Sequence, residues 1–306
     1  MLKLAIKRFV EAILVLWCLL TLTFLIAHWV PGGPFDAEKS TSPKVLAQLN
    51  AFYGYDQPIF VQYAHYIRNL LALDLGPSMR YPGYSVNQLL KRRIPVSFEL
   101  GFWAMLVTVL WGGTLGVIAA VKANTWIDRA LMSICLFGLT LPTFVVGPCI
   151  IFVFALQLKW FQAIGWNHWT DRILPTVTLA CMYSGYMARL TRTYCLEVFS
   201  SHFVSAAFAK GLSKARVFAF HVLKNALAPI LTYLGPTSAA IMSGSLVIES
   251  LFQIPGAGSL FITAVGQRDT PLLLGTVLYF ALLIIIFNLL VDLIVLMLDP
   301  RQRSNS

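Results

Sequence analysis

Few residues of this 306-residue sequence have the type and spacing that catalysis or metal binding requires. No two of its five cysteines form a Cys-x-x-Cys pair, and all lie in or beside apolar runs, so we interpret them as small packing residues: Cys18, Cys135, Cys149, Cys181 and Cys195. The five histidines are scattered, without the spacing of a metal site. A phosphate-binding Gly-x-x-x-x-Gly-Lys-Ser/Thr loop is absent too. We therefore expect this chain itself to bind no metal, ATP or other cofactor and to catalyse no reaction.

Acidic residues in the apolar segments are the remaining candidates for chemistry. Glu99 and Glu249 lie near the ends of apolar runs, and Asn288 and Asp292 lie toward the end of the last run. An acid deep inside a membrane span would suggest proton coupling, whereas acids near span ends favour structural hydrogen bonding. An ion-driven secondary transporter is therefore an alternative with weaker support. A membrane scaffold that transports nothing is a second alternative.

The elements that carry these residues are dominated by apolar sequence. The chain is 58% hydrophobic and only 12% charged, which is more apolar surface than a soluble domain of this length can bury. Its formal net charge of +10 is spread over flanks and loops rather than gathered on a soluble module, so we expect no nucleic-acid partner. The sequence predicts an all-α protein embedded in a lipid bilayer.

Apolar runs of sufficient length predict about six transmembrane helices. Basic flanks place both termini on the cytoplasmic side. One cluster, Lys91-Arg92-Arg93, disagrees because it adjoins the second span on the predicted outer side. The spans are expected at Phe9–Val30, Val96–Val121, Ala130–Leu158, Ile173–Arg189, Ala228–Leu251 and Pro271–Leu298.

The span pattern divides the chain into four regions. Residues 1–30 form an N-terminal tail and an uncleaved first span, and 31–95 form a sizeable extracytoplasmic loop with short helices near 43–53 and 58–73. Residues 96–298 form the core of five further spans, including a cytoplasmic loop at 190–227. Residues 299–306 form a cytoplasmic tail. The apolar patch Leu260–Val265 is too short to cross a bilayer and predicts an interfacial or re-entrant helix.

Helix-breaking residues occur inside two of the predicted spans. Pro142, Gly147 and Pro148 lie in the third span, and Gly235 and Pro236 lie in the fifth. Such residues predict kinks or breaks. We expect these positions to supply flexibility to the spans during transport, although proline in a span can also serve packing alone.

The stretch from Leu196 to Pro229 differs from the rest because it is basic and amphipathic. Between Ile173 and Ile248 there is a single acidic residue, Glu197, against six basic residues: Arg189, Arg192, Lys210, Lys214, Arg216 and Lys224. A basic loop between spans belongs on the cytoplasmic side.

Local signals in this stretch predict two short helices. Apolar residues at three- and four-residue spacing predict a helix from about Leu196 to Lys210, and Gly211 just after it is a C-terminal stop signal. Ser213 is a suitable N-cap for a second helix, which ends near Leu227. The pattern alone leaves two interpretations open: a docking element for a soluble partner, or a helix lying on lipid headgroups.

The loop resembles the EAA loop of bacterial ABC importer permeases. The resemblance covers Ser205-Ala206-Ala207-Phe208-Ala209-Lys210-Gly211-Leu212 and continues through His221-Val222-Leu223-Lys224-Asn225-Ala226. Ser205 occupies the position of the usual glutamate, and Lys224 stands where many families have proline.

The resemblance to the B-type permease subunit of the oligopeptide and dipeptide branch covers nearly the whole chain. It includes a series of short motifs in the same order: Pro31-Gly32-Gly33-Pro34, Asp74-Leu75-Gly76-Pro77-Ser78, Pro142-Thr143-Phe144, Ile248-Glu249 to Gly256-Ala257-Gly258, and Asp299-Pro300-Arg301.

This resemblance implies the type I ABC importer permease fold and an oligopeptide importer in the bacterial cytoplasmic (inner) membrane. The partners it implies are a C-type permease in a heterodimer, two ATP-binding subunits that hold ATP and Mg²⁺, and a periplasmic or lipoprotein substrate-binding protein. Nickel chelates and antimicrobial peptides are alternative substrates in this branch. The docking residues implied are Phe203, Ser205, Ala206, Ala207, Lys210, Gly211 and Leu212.

Overall fold

A computed structural model of the chain describes residues 2–29, 48, 50–243 and 245–298. Contacts divide these residues into two compact units. The first unit comprises Ser97–Ile254 together with Leu283 onward and the first residues of the chain. The second comprises Ile6–Val96 and Pro255–Leu282. The predicted motifs at 31–34 and 299–301 lie outside the described residues.

Helices make up almost all of the described structure. They are α1 (Leu2–Trp29), α2 (Ile59–Leu71), α3 (Val86–Val121), α4 (Trp126–Thr140), α5 (Thr143–Gln157), α6 (Ile173–Phe199), α7 (His202–Ala209), α8 (Lys214–Val217, the π-helical Phe218–Leu223 and Lys224–Ser243), α9 (Ser245–Leu251), α10 (Ala257–Gln267) and α11 (Thr270–Leu298). The helix α2 agrees with the prediction for 58–73, and α10 contains the patch Leu260–Val265.

Four helical segments in the described part of the chain are long and apolar enough to cross a membrane, and a bent pair raises the number to five. They are Val10–Trp29, Val86–Val121, Pro229–Leu251 and Thr270–Leu290, with α4 and α5 as the bent pair. The remaining predicted span, Ile173–Arg189, lies in the 27-residue helix α6. This helix carries more polar residues than the others, and it buries many of them against its neighbours rather than exposing them to lipid.

The helix α3 begins ten residues before the predicted start of the second span, at Val86 rather than Val96. Its 36 residues would extend about 54 Å, whereas the hydrocarbon core of a bilayer is about 30 Å thick. Part of α3 must therefore project beyond the hydrocarbon. The cluster Lys91-Arg92-Arg93 lies in the first turns of α3, where the Arg92 guanidinium packs 5.3 Å from the centre of the Tyr84 ring.

The predicted third span is two helices, α4 and α5, that meet at an angle of 106°. Leu141, at the junction, is extended with ψ 123°. Its conformation has a local cause, because the ring of Pro142 disfavours helical geometry in the residue before it. Pro148 lies inside α5, and a π-helical segment, Ile151–Gln157, follows.

Small residues allow the helices of the first unit to approach closely. A Cβ atom added at Gly116 of α3 would lie 2.5 Å from the Ala188 carbonyl oxygen and 2.6 Å from the Thr191 Cβ, both in α6. At Gly185 of α6, it would lie 2.5 Å from the Cys135 carbonyl oxygen of α4. The backbones of α3, α4 and α6 thus pack at distances that only glycine permits.

In the second unit, the buried carboxylate of Asp269 joins two segments that are distant in sequence. It accepts hydrogen bonds from the Ser78 hydroxyl and from the backbone N–H groups of Met79 (3.1 Å) and Arg80 (3.2 Å). Its other oxygen accepts the Leu272 N–H at 3.1 Å and so caps α11. This carboxylate therefore fixes the turn that follows the Asp74–Ser78 motif.

We predict that Gly116→Ala destabilises the chain, whereas Gly113→Ala on the same helix does not. Overpacking against the α6 backbone should reduce the free energy of unfolding by about 1–3 kcal/mol. A Cβ at Gly113 would meet nothing within 4 Å, so this control should match the unchanged chain or gain slightly from better helix propensity. Thermal unfolding in detergent measures the stability of the two purified variants. Equal unfolding temperatures would contradict the role of Gly116 in close packing.

Candidate functional site

The candidate site is centred on α7, an eight-residue helix that follows a two-residue turn after α6. Ser201 at its N-cap is extended, with ψ 152°. The prediction of a single helix from Leu196 to Lys210 was therefore wrong at its N-terminal end, because Leu196–Phe199 belong to α6. Adjacent serines explain the break, since the Ser200 and Ser201 hydroxyls donate to carbonyls of the last turn of α6.

The C-terminal end of α7 is a Schellman motif, as the glycine predicted. Gly211 adopts φ +79°, a left-handed conformation that favours glycine. Its N–H donates to the Phe208 carbonyl at 2.9 Å, and the Leu212 N–H donates to the Ala207 carbonyl at 3.3 Å. These two bonds end the helix sharply and turn the chain toward α8.

One face of α7 is buried in the core of the first unit. Val204 and Ala207 are only 1% and 6% exposed, and they share a hydrophobic cluster with Cys195 of α6 and with Val217 and Val222 of α8. Burial raises the pKa of the Cys195 thiol to about 11, so this cysteine remains uncharged and packs as an apolar group. Ala207, one of the predicted docking residues, packs against its own chain in this cluster.

The opposite face of α7 is open. Phe203 is 46% exposed, and Ser205, Ala206 and Lys210 are exposed as well. Gly211 is exposed in the turn, and Leu212 is half-buried against the cluster that holds Ala207. The predicted docking residues therefore fall into two sets. Ala207 and Leu212 face the core of the chain, whereas the others are exposed: Phe203, Ser205, Ala206, Lys210 and Gly211.

The surface around α7 is basic. Lys210, Lys214 and Arg216 are all exposed. The sequence contains no acidic residue between Glu197 and Glu249. The exposed face of α7 is thus small and weakly apolar, with positive charges at its C-terminal end.

A continuous helical path links this face to a membrane span. Ser213 is the extended N-cap of α8, which runs without a break to Ser243. The prediction of separate helices divided near Pro229 was wrong, because Pro229 lies inside α8. Proline is tolerated in membrane helices because neighbouring groups satisfy the carbonyl that it leaves unpaired.

A bidentate ion pair, which the sequence did not indicate, links the C-terminal part of α6 to the first turn of α4. The Asp128 carboxylate accepts the Arg192 Nε–H at 2.6 Å and the Nη2–H at 2.7 Å. It also accepts the Asn124 N–H at 2.9 Å. Asp128 is 2% exposed and the Arg192 side chain is 26% exposed, so the pair is partly buried, and it is bidentate. In the sequence, Arg192 is only one of several basic residues near a loop, because nothing local links it to an acid 64 positions away.

Other acids of the first unit also have structural partners. Glu99 pairs with Arg172 at 2.5 Å. Glu249 is fully buried and accepts a hydrogen bond from the Ser97 hydroxyl at 2.7 Å. Asn288 is half-buried in α11, and the side chain of Asp292 lies outside the described residues.

The residues predicted to give the spans flexibility lie at helix breaks and contacts. Pro142 precedes α5 at the 106° bend. Gly147 packs against Leu251, while Pro148 is exposed. Gly235 is buried and Pro236 is exposed in the middle of α8. Motion at these positions remains a prediction.

Comparison with known proteins identifies relatives over nearly the full length. Residues 112–304 match the family described as binding-protein-dependent transport system inner membrane component, and residues 1–80 match its N-terminal counterpart. The chain is 41% identical to the dipeptide transport system permease protein DppB of Bacillus subtilis over 296 residues, which is 97% of this chain and 96% of that protein. It is 40% identical to the oligopeptide transport system permease protein OppB of Haemophilus influenzae over 305 residues, covering 99% and 100%.

A solved structure supports the fold. An inward-facing structure of the MetNI methionine ABC transporter matches with a TM-score of 0.58 at 17% identity, covering 69% of this chain and 97% of that one. This similarity confirms the predicted permease fold.

We predict that Asp128→Asn destabilises the first unit by about 2 kcal/mol, because it leaves the partly buried Arg192 without its ionic partner. Unfolding in detergent should detect the loss. The double variant Asp128→Asn/Arg192→Gln should recover part of it, since the unpaired charge is then gone. Glu197→Gln, which changes an exposed acid on the helix of Arg192, is the control and should unfold like the unchanged chain. A similar loss in the control would contradict a specific role for the pair.

Proposed function

Because this chain belongs to the family of binding-protein-dependent transport system inner membrane components, we propose that it is a permease subunit of an ATP-driven peptide importer. In this proposal, α7 docks on a separate ATPase subunit as the coupling helix. The chain forms one half of the translocation pathway and performs no ATP hydrolysis itself.

The observation that carries the proposal is the two-sided arrangement of α7. Val204 and Ala207 hold the helix to the ends of α6 and α8, while Phe203, Ser205 and Ala206 are presented outward. A partner that pushes on the outward face must move the helices that hold the inward face. Because α8 continues into a membrane span, a displacement at α7 passes directly into the membrane region.

The alternative of a lipid-surface helix has less support from this geometry. An interfacial helix needs a broad apolar face that enters the headgroup region. In α7, Val204 is buried in the core and Phe208 is half-buried, which leaves Phe203, 46% exposed, as the one exposed large apolar side chain of this helix. Small Ala206 beside it suits the close approach of a protein surface.

Charge indicates what the partner surface should be like. The exposed Lys210, Lys214 and Arg216 favour a groove that carries acidic residues at its rim. Ser205 can offer only a hydroxyl where the usual glutamate would offer a carboxylate, which is consistent with an already acidic partner. ATP and Mg²⁺ belong to this partner in the proposal, as a pair of ATP-binding subunits.

The peptide substrate follows from the relatives, which are named for dipeptide and oligopeptide transport. We propose oligopeptides as the main class. A substrate-binding protein would deliver them from outside, and a related C-type permease would complete the pathway as a heterodimer. Both termini, together with α7, would then face the cytoplasm of a bacterium.

The pairing of the acids argues against an ion-driven mechanism. Glu99 and Glu249 make structural contacts with Arg172 and Ser97, so neither is positioned as an isolated proton carrier.

Reconstitution in proteoliposomes distinguishes the ATP-driven importer from the ion-driven transporter. The vesicles contain the chain, its partner permease and the ATPases, and the binding protein is supplied with them. Peptide uptake should require ATP. Uptake that persists without the ATPases and collapses with the proton gradient would exclude the proposal.

We predict that Ala206→Glu abolishes docking of the ATPase while leaving the chain folded. The added carboxylate sits on the exposed face, where bulk blocks the close approach but does not disturb the core. Copurification of the ATPase and ATP-dependent peptide uptake should both fall at least about ten-fold, which corresponds to roughly 1.4 kcal/mol of binding. The matched control is Ala72→Glu, an exposed alanine that follows α2 on the predicted outer side. Unchanged copurification in Ala206→Glu would show that the ATPase docks elsewhere.

We predict that Gly211→Pro uncouples the subunit. Proline cannot adopt φ +79° and has no N–H to donate to Phe208, so the Schellman motif cannot form. The protein should still insert into the membrane, because the spans are unaltered. Peptide uptake should be lost, and binding-protein-stimulated ATP turnover should fall with it. Normal stimulated turnover in this variant would rule out a coupling role for the turn.

A further inference from the structure

A basic groove lies between α4 and α6, at the ends of these helices that we place at the cytoplasmic side. Its volume is about 520 Å³. Three arginines from two helices line it, namely Arg129 of α4 and Arg189 and Arg192 of α6, together with the apolar Met132 and Leu136 of α4. The coupling function of α7 makes no use of this groove.

Two of these arginines have charge available for a ligand. Arg192 is held by Asp128, which uses both of its carboxylate oxygens for that contact. Arg129 and Arg189 are exposed, and neither forms an ion pair within the part of the chain that the structure describes. A guanidinium is planar and presents paired N–H donors that match the oxygens of a phosphate. Arg129 also interacts electrostatically with the Asp128 carboxylate. The groove therefore presents two exposed guanidinium groups beside a third that is paired with Asp128.

The other end of the groove is apolar. Met132 and Leu136 follow Arg129 at helical spacing on one face of α4, and Leu136 is 48% exposed. Side chains of this kind inside a span are covered by acyl chains. Cationic and apolar groups thus follow one another along the groove in the order of the headgroup and acyl chain of a phospholipid.

We propose that this groove binds an anionic phospholipid of the inner leaflet. The phosphate contacts Arg129 and Arg189, and one acyl chain lies along Met132 and Leu136. Basic pockets between membrane helices on the cytoplasmic side have the properties that anionic headgroups require. Binding at this site differs from the general attraction of anionic lipids to basic flanks. Here two arginines from different helices line one groove that also has apolar residues, Met132 and Leu136.

The full chain, purified in detergent, provides the first test. Native mass spectrometry would compare retention of phosphatidylglycerol and phosphatidylcholine with identical acyl chains. We expect each chain to retain one phosphatidylglycerol molecule in preference to phosphatidylcholine. Equal retention of the two lipids by the unchanged chain would overturn the proposal without recourse to any variant.

A pair of matched double variants locates the site. Arg129→Gln/Arg189→Gln should weaken phosphatidylglycerol retention about 25-fold, at about five-fold for each charge removed. Lys122→Gln/Lys224→Gln removes two exposed positive charges that do not line the groove, and retention should change less than about two-fold. Equal losses in both double variants would assign the effect to general flank charge and overturn the site.

Two further outcomes exclude other occupants. Displacement of the lipid by excess inorganic phosphate would show that a free anion suffices, and it would overturn the lipid assignment. In the complex assembled with the partner permease, phosphatidylglycerol should copurify with the unchanged chain and be depleted with Arg129→Gln/Arg189→Gln. Its absence from the unchanged complex would instead indicate that a protein surface covers the groove.

Discussion

An eight-residue helix is too short to be stable by itself in water, so α7 depends on the burial of one of its faces. Val204 and Ala207 provide that burial, in a cluster built from the ends of α6 and α8. The same contact therefore creates the helix and connects it to the spans. A force applied to its open face is carried by packed side chains rather than absorbed by a loose loop, as long as the cluster stays intact.

The helices of the first unit are in close backbone contact. Gly116 and Gly185 allow α3 and α4 to pack directly on the backbone of α6. The bidentate Asp128–Arg192 pair links the first turn of α4 to the C-terminal part of α6. These contacts leave α6 as the common support of its neighbours. Its polar face is buried against them, which explains why a helix of 27 residues is less apolar than a span exposed to lipid.

The proposed lipid site lies close in sequence to the proposed docking helix α7. Arg189 and Arg192 precede the last turns of α6, and α7 follows those turns directly. A lipid held by Arg129 and Arg189 would restrain α6, the helix that precedes α7. Lipid composition would then influence how readily a displacement of α7 reaches the spans.

The sequence by itself determined the features that depend on local composition. Apolar runs identified the membrane helices, Gly211 identified the end of α7, and Pro142 identified the bend, because each acts on the backbone within a few residues. Only the tertiary structure decided which side of α7 is buried, since that depends on α6 and α8. It also revealed the Asp128–Arg192 pair and the Asp269 contacts, which join residues that are distant in sequence. The continuity of α8 through Pro229 could not be predicted either, because surrounding helices decide whether a proline ends a helix.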